Sequence, residues 1–244
     1  MAIYPEPRIL PAGDLAVSIE LADEISRDAN ARVLTLERLL TEARLAGLVE
    51  MVPTFRSLLV YYDPLVLPWE RLVGRVRALL PDLAVAAPPR GRRVELPCAY
   101  GGEHGPDLDE VARRLGLTPE EVVRLHAGAE YPVYFIGFTP GLPYMTGMPE
   151  RLTIPRLDRP RTKTPPGSVG IGGNQCSIYS VESPGGFWLL GRTPLLLYDP
   201  GASDPILLRA GDRVRFRPID SAEFRAIAAA VAAGAYRPEI EVDA

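Results

Sequence analysis

Lysine is almost missing from this sequence. Of its 27 basic residues only Lys163 is a lysine, and the other 26 are arginines. That excludes a biotin-accepting Met-Lys-Met on this chain. It also excludes a phosphate loop of the form G-x-x-x-x-G-K-[ST], because Lys163 follows Arg161-Thr162. Histidine and cysteine are equally scarce. His104, His126, Cys98 and Cys176 have neither the spacing of a structural zinc site nor the density of a disulfide framework. No metal site is expected. A long apolar run is absent too: nothing approaches the roughly 20 residues a bilayer span needs. Residues 1–10 carry Glu6, Arg8 and two prolines, and no run follows that resembles a signal peptide. The expectation is a cytoplasmic protein. Its net charge of -4 argues against a nucleic acid or an anionic membrane as partner. No nucleophile elbow G-x-S-x-G exists, since Ser168 follows Pro166-Gly167. Gly170-Ile171-Gly172-Gly173 is not the dinucleotide fingerprint either, and Ser-Ser-Lys amidase chemistry finds no home.

With 244 residues, 47% of them hydrophobic, the chain can bury one large core or two small ones. The first ninety residues alternate in period. Residues 14–21 read as a strand. Ala29, Val33, Leu36, Leu40 and Ala43 recur on one face of a helix over residues 28–46. Residues 48–52 and 57–62 read as a hairpin around Pro53. Pro68 opens a second helix carrying Trp69, Leu72, Val76 and Leu79, which is expected to end near Pro81. A strand near residues 93–96 follows. The order βαββα, closed by a final β, predicts a small ferredoxin-like α+β domain. Ala86-Ala87-Pro88-Pro89-Arg90-Gly91 reads as a linker, which places the domains at residues 1–88 and 89–244.

Beyond it the texture changes. A short amphipathic helix is expected over residues 108–115. Thr118-Pro119-Glu120-Glu121 is a capping box with proline at the first helical position, opening a helix to about residue 127. After Tyr131 come short apolar runs punctuated by glycine and proline, at residues 133–138, 177–182, 187–190, 195–198 and 213–217. That pattern predicts a closed or nearly closed β-barrel. An alanine-rich helix over residues 221–233 ends the pattern at Gly234.

Chemistry concentrates between Gly137 and Asp199. Gly137, Phe138, Pro140 and Gly141 form either a loop whose backbone approaches a ligand or a tight barrel corner. Arg156, Arg159, Arg161 and Lys163 lie within eight residues and run into the glycine-rich Gly167, Ser168 and Gly170. Clustered cations beside exposed N–H groups make an anion cradle, with Arg161 and Lys163 nearest the glycines; the alternative is a solvated loop. Glu182 reads as a general base or as the holder of a metal-bound nucleotide, and Arg192 as a carboxylate clamp; alternatively the two pair with each other or cap a turn. Gly185, Gly186 and Trp188 lie between them, and Gln175 lies just after the glycines. His126, near a helix C-terminus, is either a catalytic imidazole or a structural cap favoured as a cation by the dipole. Cys176 sits in an expected strand and packs rather than attacks.

These stretches resemble the KipI/PxpB family, also known as allophanate hydrolase subunit 1 or carboxyltransferase subdomains C and D. The resemblance is carried by Gly13-Asp14, Tyr62-Asp63-Pro64, Tyr100-Gly101-Gly102-Glu103 and Gly105-Pro106-Asp107-Leu108. GFTPGLPYMTG at 137–147, PPGSVGIGGNQ at 165–175 and ESPGGFWLLGRTP at 182–194 continue it, with Tyr198-Asp199-Pro200 and Gly211-Asp212 beyond. His104, Leu142, Lys163 and Cys176-Ser177 depart from the family's common residues. The resemblance implies an α+β domain followed by a cyclophilin-like β-barrel. It also implies the B component of an ATP-dependent 5-oxoprolinase, which opens 5-oxo-L-proline to L-glutamate. The implied partners are a KipA/PxpC-like subunit and a LamB/YcsF-like (PxpA) subunit, and the implied cofactor is ATP with Mg²⁺. Two alternatives share the resemblance: a KipI-type inhibitor of a sensor histidine kinase, and half of a biotin-dependent carboxyltransferase with its biotin on another chain.

Overall fold

The structure is a computed structural model that describes residues 3–85 and 91–242. The chain divides into two compact units, Met1–Arg90 and Gly91–Ala244. The linker expected at 86–91 falls, but for Gly91, outside the described residues.

The first unit is a four-stranded antiparallel sheet with two helices. Its elements are β1 (Ile3–Pro11), β2 (Ala16–Ala22), α1 (Arg27–Glu42), β3 (Leu48–Pro53), β4 (Ser57–Tyr62) and α2 (Trp69–Val85), and the sheet order is β1-β2-β4-β3. β4 lies between β2 and β3, the split βαβ arrangement expected of a ferredoxin-like core. Two details differ from the expected order. The strand that flanks β2 comes from the start of the chain, not from its end. Its prolines at 5, 7 and 11 are tolerated because β1 is an edge strand with one partner and a broken register between Ile3 and Arg8. α2 also runs on through Pro81. Ser26 caps α1 by accepting from the Ala29 N–H at 3.1 Å. The apolar faces then meet in one core that includes Val33, Leu36, Leu40, Leu72 and Val76.

The second unit is a closed barrel. Its strands are β5 (Arg92–Tyr100), β6 (Tyr131–Ile136), β7 (Pro143–Met145), β9 (Ser168–Gly172), β10 (Gln175–Ile178), β12 (Trp188–Arg192) and β13 (Arg213–Ile219). They run β12-β9-β10-β7-β6-β13-β5, and β5 pairs again with β12 to close the ring. The strand expected near residues 93–96 therefore belongs here, where β5 pairs in parallel with β13. β14 (Ile240–Val242) adds to its outer edge. A separate ribbon pairs β8 (Arg161–Thr164) with β11 (Ser183–Gly185). Residues 195–198 form no strand and contribute one bridge, Tyr198 to Ile206. α3 (Leu108–Leu115), α4 (Pro119–Ala127) and α5 (Ser221–Ala232) complete the unit. The Thr118–Glu121 capping box forms as expected.

One buried carboxylate pins the start of the barrel. Asp212 accepts from Arg92 Nε at 3.0 Å and Arg92 Nη2 at 2.6 Å, and also from the Arg209 N–H at 2.8 Å. The Asp212 side chain is 3% exposed. Removing one partner of such a pair leaves the other charge uncompensated. Asp212→Ala is expected to destabilise the protein by about 3–5 kcal/mol. Urea denaturation would read this as a lower midpoint with an unchanged slope.

Candidate functional site

A cleft opens in the second unit between the β6–β7 loop, β10 and the segment through β11 to β12. Leu142, Tyr144, Tyr179 and Phe187 wall it, with Phe138 on the rim, and it encloses about 120 Å³. Its polar lining residues are Arg156, Tyr179 and Ser177, whose hydroxyl donates to the Pro143 carbonyl at 2.8 Å. Burial raises the Tyr179 phenol above its ordinary value, so it stays protonated.

Phe138 is held at φ +65°, a conformation costly for a side chain of this size, and is 65% exposed. Gly141 follows at φ +77°, packed so tightly that a Cβ would lie 2.9 Å from the Leu197 carbonyl oxygen. The 137–141 stretch therefore combines both alternatives: a packed corner at Gly141 and a loop that presents Phe138 at the mouth of a cleft. Gly137 is half-buried beside Phe135 and Tyr144, and Pro140 is exposed.

The glycine-rich run is not an anion cradle. Ser168, Gly170 and their neighbours form β9, buried along its whole length and paired with β10 on one side and β12 on the other. Ladder hydrogen bonds on both edges leave no row of N–H groups for a ligand. What these glycines supply is room. A Cβ on Gly170 would lie 3.0 Å from Phe187 Cβ. One on Gly172 would lie 2.7 Å from Phe187 Cδ1 and 2.9 Å from Arg156 Cγ, and one on Gly185 would fall 2.1 Å from the Tyr179 oxygen. A Cβ on Gly186 would make only ordinary contacts with Pro160 and Arg156, and Gly167, at φ +81°, sits against the Thr193 carbonyl.

The cations separate into different roles. Arg161 is committed: it donates to Asp107 Oδ1 at 2.5 Å and to the Phe187 carbonyl at 3.2 Å. Asp107 uses its other oxygen to accept from the Leu189 N–H at 2.7 Å. Lys163 pairs with Glu182 at 3.1 Å on the surface, where both are more than half exposed. Arg192 donates to the Pro166 carbonyl at 2.8 Å, so Glu182 and Arg192 do not pair with each other. Of Arg161, Lys163 and Arg192, none lines the cleft. The cation that does is Arg156, whose guanidinium lies 4.8 Å over the Phe187 ring and donates to Gln175 Oε1 at 3.0 Å. The basic run includes Arg156, but its distance from the glycines in sequence gives Arg161 and Lys163 precedence over it. Trp188 is nearly buried, donating to the Pro155 carbonyl at 2.7 Å, with Arg114 over its ring.

His126 is fully buried and is no helix-capping cation. Burial pushes its ring down to about 3. The ring lies 2.8 Å from the Tyr100 hydroxyl through Nδ1 and 3.4 Å from Cys176 Sγ through Nε2. Tyr131 and Phe216 tilt against its faces. It is a core residue with no route to a substrate. His104 is likewise packed, with Phe224 against its ring and Nε2 3.2 Å from the Ser221 hydroxyl. Cys98 and Cys176 are buried thiols pushed up by burial. The described residues hold no group of three or more His, Cys, Asp or Glu able to hold a metal ion. No helix among them is long and apolar enough to cross a membrane.

A closed barrel with a small aromatic cleft, joined in sequence to an antiparallel α+β unit, defines the class. The chain belongs to the carboxyltransferase domain family, subdomains C and D, whose model matches residues 7–208. Among individual relatives it is 40% identical to the B component of 5-oxoprolinase from Bacillus subtilis, over 88% of this chain and 93% of that protein. It is likewise 40% identical to the B component of 5-oxoprolinase from Haemophilus influenzae, over 85% of this chain and 96% of that one. Among solved structures, urea carboxylase of Kluyveromyces lactis shares the fold, with a TM-score of 0.78 and 23% identity. That match covers all of this chain and 25% of the larger one.

The neutral state of His126 has a consequence for acid stability. Its folded value is depressed below the ordinary one of about 6.5. Its contribution is therefore complete above pH 6.5 and lost as pH falls toward 3. Over that window this group steepens the loss of stability by up to about 1.4 kcal/mol per pH unit. The stability difference between wild type and His126→Gln, measured by urea denaturation, is expected to shrink steadily from pH 6.5 downward. A difference independent of pH would mean that the ring titrates freely in the folded protein.

Proposed function

We propose that this chain is a non-autonomous subunit of an ATP-dependent 5-oxoprolinase, and that its aromatic cleft is the lactam half of an active site finished by another polypeptide. The observation that carries this reading is the cleft itself. At about 120 Å³ it is smaller than the ~300–1,000 Å³ of ordinary small-molecule sites. It holds one cation and no ionised base. The sequence likeness to two proteins named as the B component of 5-oxoprolinase, spanning nearly their whole length, supports the same reading. In the urea carboxylase the matching region is one quarter of a longer polypeptide.

The chemistry explains why ATP would be used. A lactam carbonyl is a poor electrophile. Transfer of the γ-phosphoryl group to its oxygen releases ADP and makes the ring carbon reactive toward water. One water adds, the ring C–N bond opens as the nitrogen takes up a proton, and a second water displaces phosphate from the resulting acyl phosphate, giving L-glutamate. This chain's part is to orient the ring and exclude water from its apolar faces. Of the cations expected to meet the phosphates, Arg161 is withdrawn, because Asp107 holds it. Lys163 and Arg192 keep donors to offer: the exposed Lys163–Glu182 pair is worth little and opens readily. No carboxylate lines the cleft, so the general base and any ligands for Mg²⁺ are assigned to the partner side, and Glu182 is left as Lys163's counter-charge. The expected partners are a KipA/PxpC-like and a LamB/YcsF-like subunit.

Purified together, the complete set is expected to hydrolyse ATP only when 5-oxoproline is present, and this chain alone to hydrolyse none. A complete, stably associated set without 5-oxoproline-dependent turnover would overturn the proposal and favour the regulatory alternative. Phe138 gives a second check, since strain at φ +65° is retained at the mouth of the cleft. Phe138→Gly is expected to leave stability unchanged or raise it by up to about 1 kcal/mol, while turnover of the complex falls. A variant of full activity would remove Phe138 from the site.

A further inference from the structure

Arg156 is placed for a task that none of its neighbours can perform. Its guanidinium carbon lies 4.8 Å from the centroid of the Phe187 ring, and the residue lines both the aromatic cleft and a second groove lined by Arg114, Asp158, Arg159 and Trp188. Two features show the position to be built. Gly172 leaves out the side chain that would collide with both Arg156 Cγ and Phe187 Cδ1. Gln175 takes one N–H of the fork through its amide oxygen, at 3.0 Å. Set over the Phe187 ring and held at one corner, the guanidinium keeps its other N–H donors for a ligand. No carboxylate of the described residues forms an ion pair with it; Asp107 is taken by Arg161 and Glu182 by Lys163.

We infer that Arg156 is the carboxylate anchor of the cleft, and that the cleft recognises a small, flat ring bearing one carboxylate. The ring packs among Tyr144, Tyr179 and Phe187, and the carboxylate takes two parallel N–H bonds from Arg156 at the rim. The neutral Tyr179 hydroxyl can donate to a ring carbonyl but cannot neutralise an anion. The cleft thus has one place for negative charge, at its edge, and uncharged walls. This deepens the proposed 5-oxoproline reading, on which the identity of the ring rests. It replaces Arg192 by Arg156 as the carboxylate clamp, since Arg192 is tied to Pro166 and lies outside the cleft lining.

The test is a titration of the full chain, followed by heteronuclear NMR, with 5-oxoproline, with cyclopentanecarboxylate and with 2-pyrrolidinone, the same lactam without its carboxylate. Wild type is expected to bind 5-oxoproline on the order of 10–100-fold more tightly than 2-pyrrolidinone, the range expected for a charge-assisted pair. In Arg156→Gln that preference is expected to vanish while weak 2-pyrrolidinone binding persists, which also shows that the variant folds. Arg156→Lys should recover only part of it, because an ammonium makes no bidentate contact. Equal binding of the two lactams by wild type, a preference that survives in Arg156→Gln, or no binding of any of the three overturns the inference. The function reading fails separately. Should Arg156 govern binding of both carboxylates while the complete complex shows no 5-oxoproline-dependent ATP hydrolysis, the anchor stands and the oxoprolinase assignment falls.

Discussion

The cleft depends on a carboxylate that never touches it. Asp107, nearly buried at the entry to α3, takes Arg161 on one oxygen and the Leu189 N–H on the other. Through Arg161 the same tie reaches the Phe187 carbonyl, so the β8–β11 ribbon, the first turn of α3 and the start of β12 are fastened at one point. A buried ion pair contributes little net free energy, but it is costly to break and specific in what it joins. Here it fixes the backbone on either side of Phe187 and Trp188. With that stretch immobile, the Phe187 ring becomes a wall on which Arg156 can lie. It also consumes Arg161, which decides which cation remains for a ligand.

The second constraint is a set of missing side chains. β9 lies in the middle of the barrel, where a strand would ordinarily carry alternating bulky residues. It has Gly170 and Gly172 instead, and these vacate the volume that Phe187 and Arg156 occupy. Gly185 does the same for the Tyr179 hydroxyl. Glycine in a strand costs stability through entropy and lost packing. The rest of the barrel offsets that cost with its own core, in which Tyr131, Met145, Ile171 and Leu190 are fully buried. A surface cleft with aromatic walls and one positioned guanidinium is what the barrel gains in return.

Local signals in the sequence carry most of the architecture. The Thr118–Glu121 box and the 3.6-residue spacing of α1 depend on neighbours a few positions away, so they are legible and form nearly where the pattern puts them. The glycine and proline punctuation after Tyr131 is enough to indicate a barrel. What is not legible is who pairs with whom. Residues 168–172 look like a loop because composition records glycine but not the partner strands that pair along both edges. β1 is hidden by its prolines, which only its edge position excuses. Sequence proximity to the glycines favours Arg161 over Arg156, and what reverses that order is Asp107, more than fifty residues away along the chain from Arg161. His126 looks available because a helix end is usually wet. Its burial arises from Tyr131 and Phe216, contributed by two other strands.

The distribution of ionisable groups bears directly on why such a chain would need company. Acid–base work requires a group whose protonation state can change near neutral pH and that can reach a substrate. Among the described residues beside the cleft, none meets both conditions. His126 is shut into the core with its ring held neutral, and the Tyr100, Tyr131 and Tyr179 phenols are pushed upward by burial. The cysteine thiols are buried and pushed the same way. Glu182 and Lys163 are exposed and paired with each other, away from the cleft. On the proposed reading this polypeptide supplies recognition through Phe187, Tyr179 and Arg156, with no proton-transfer group among the described residues beside it. On that same reading the strained, solvent-facing Phe138 at the rim is where a partner would close the cleft.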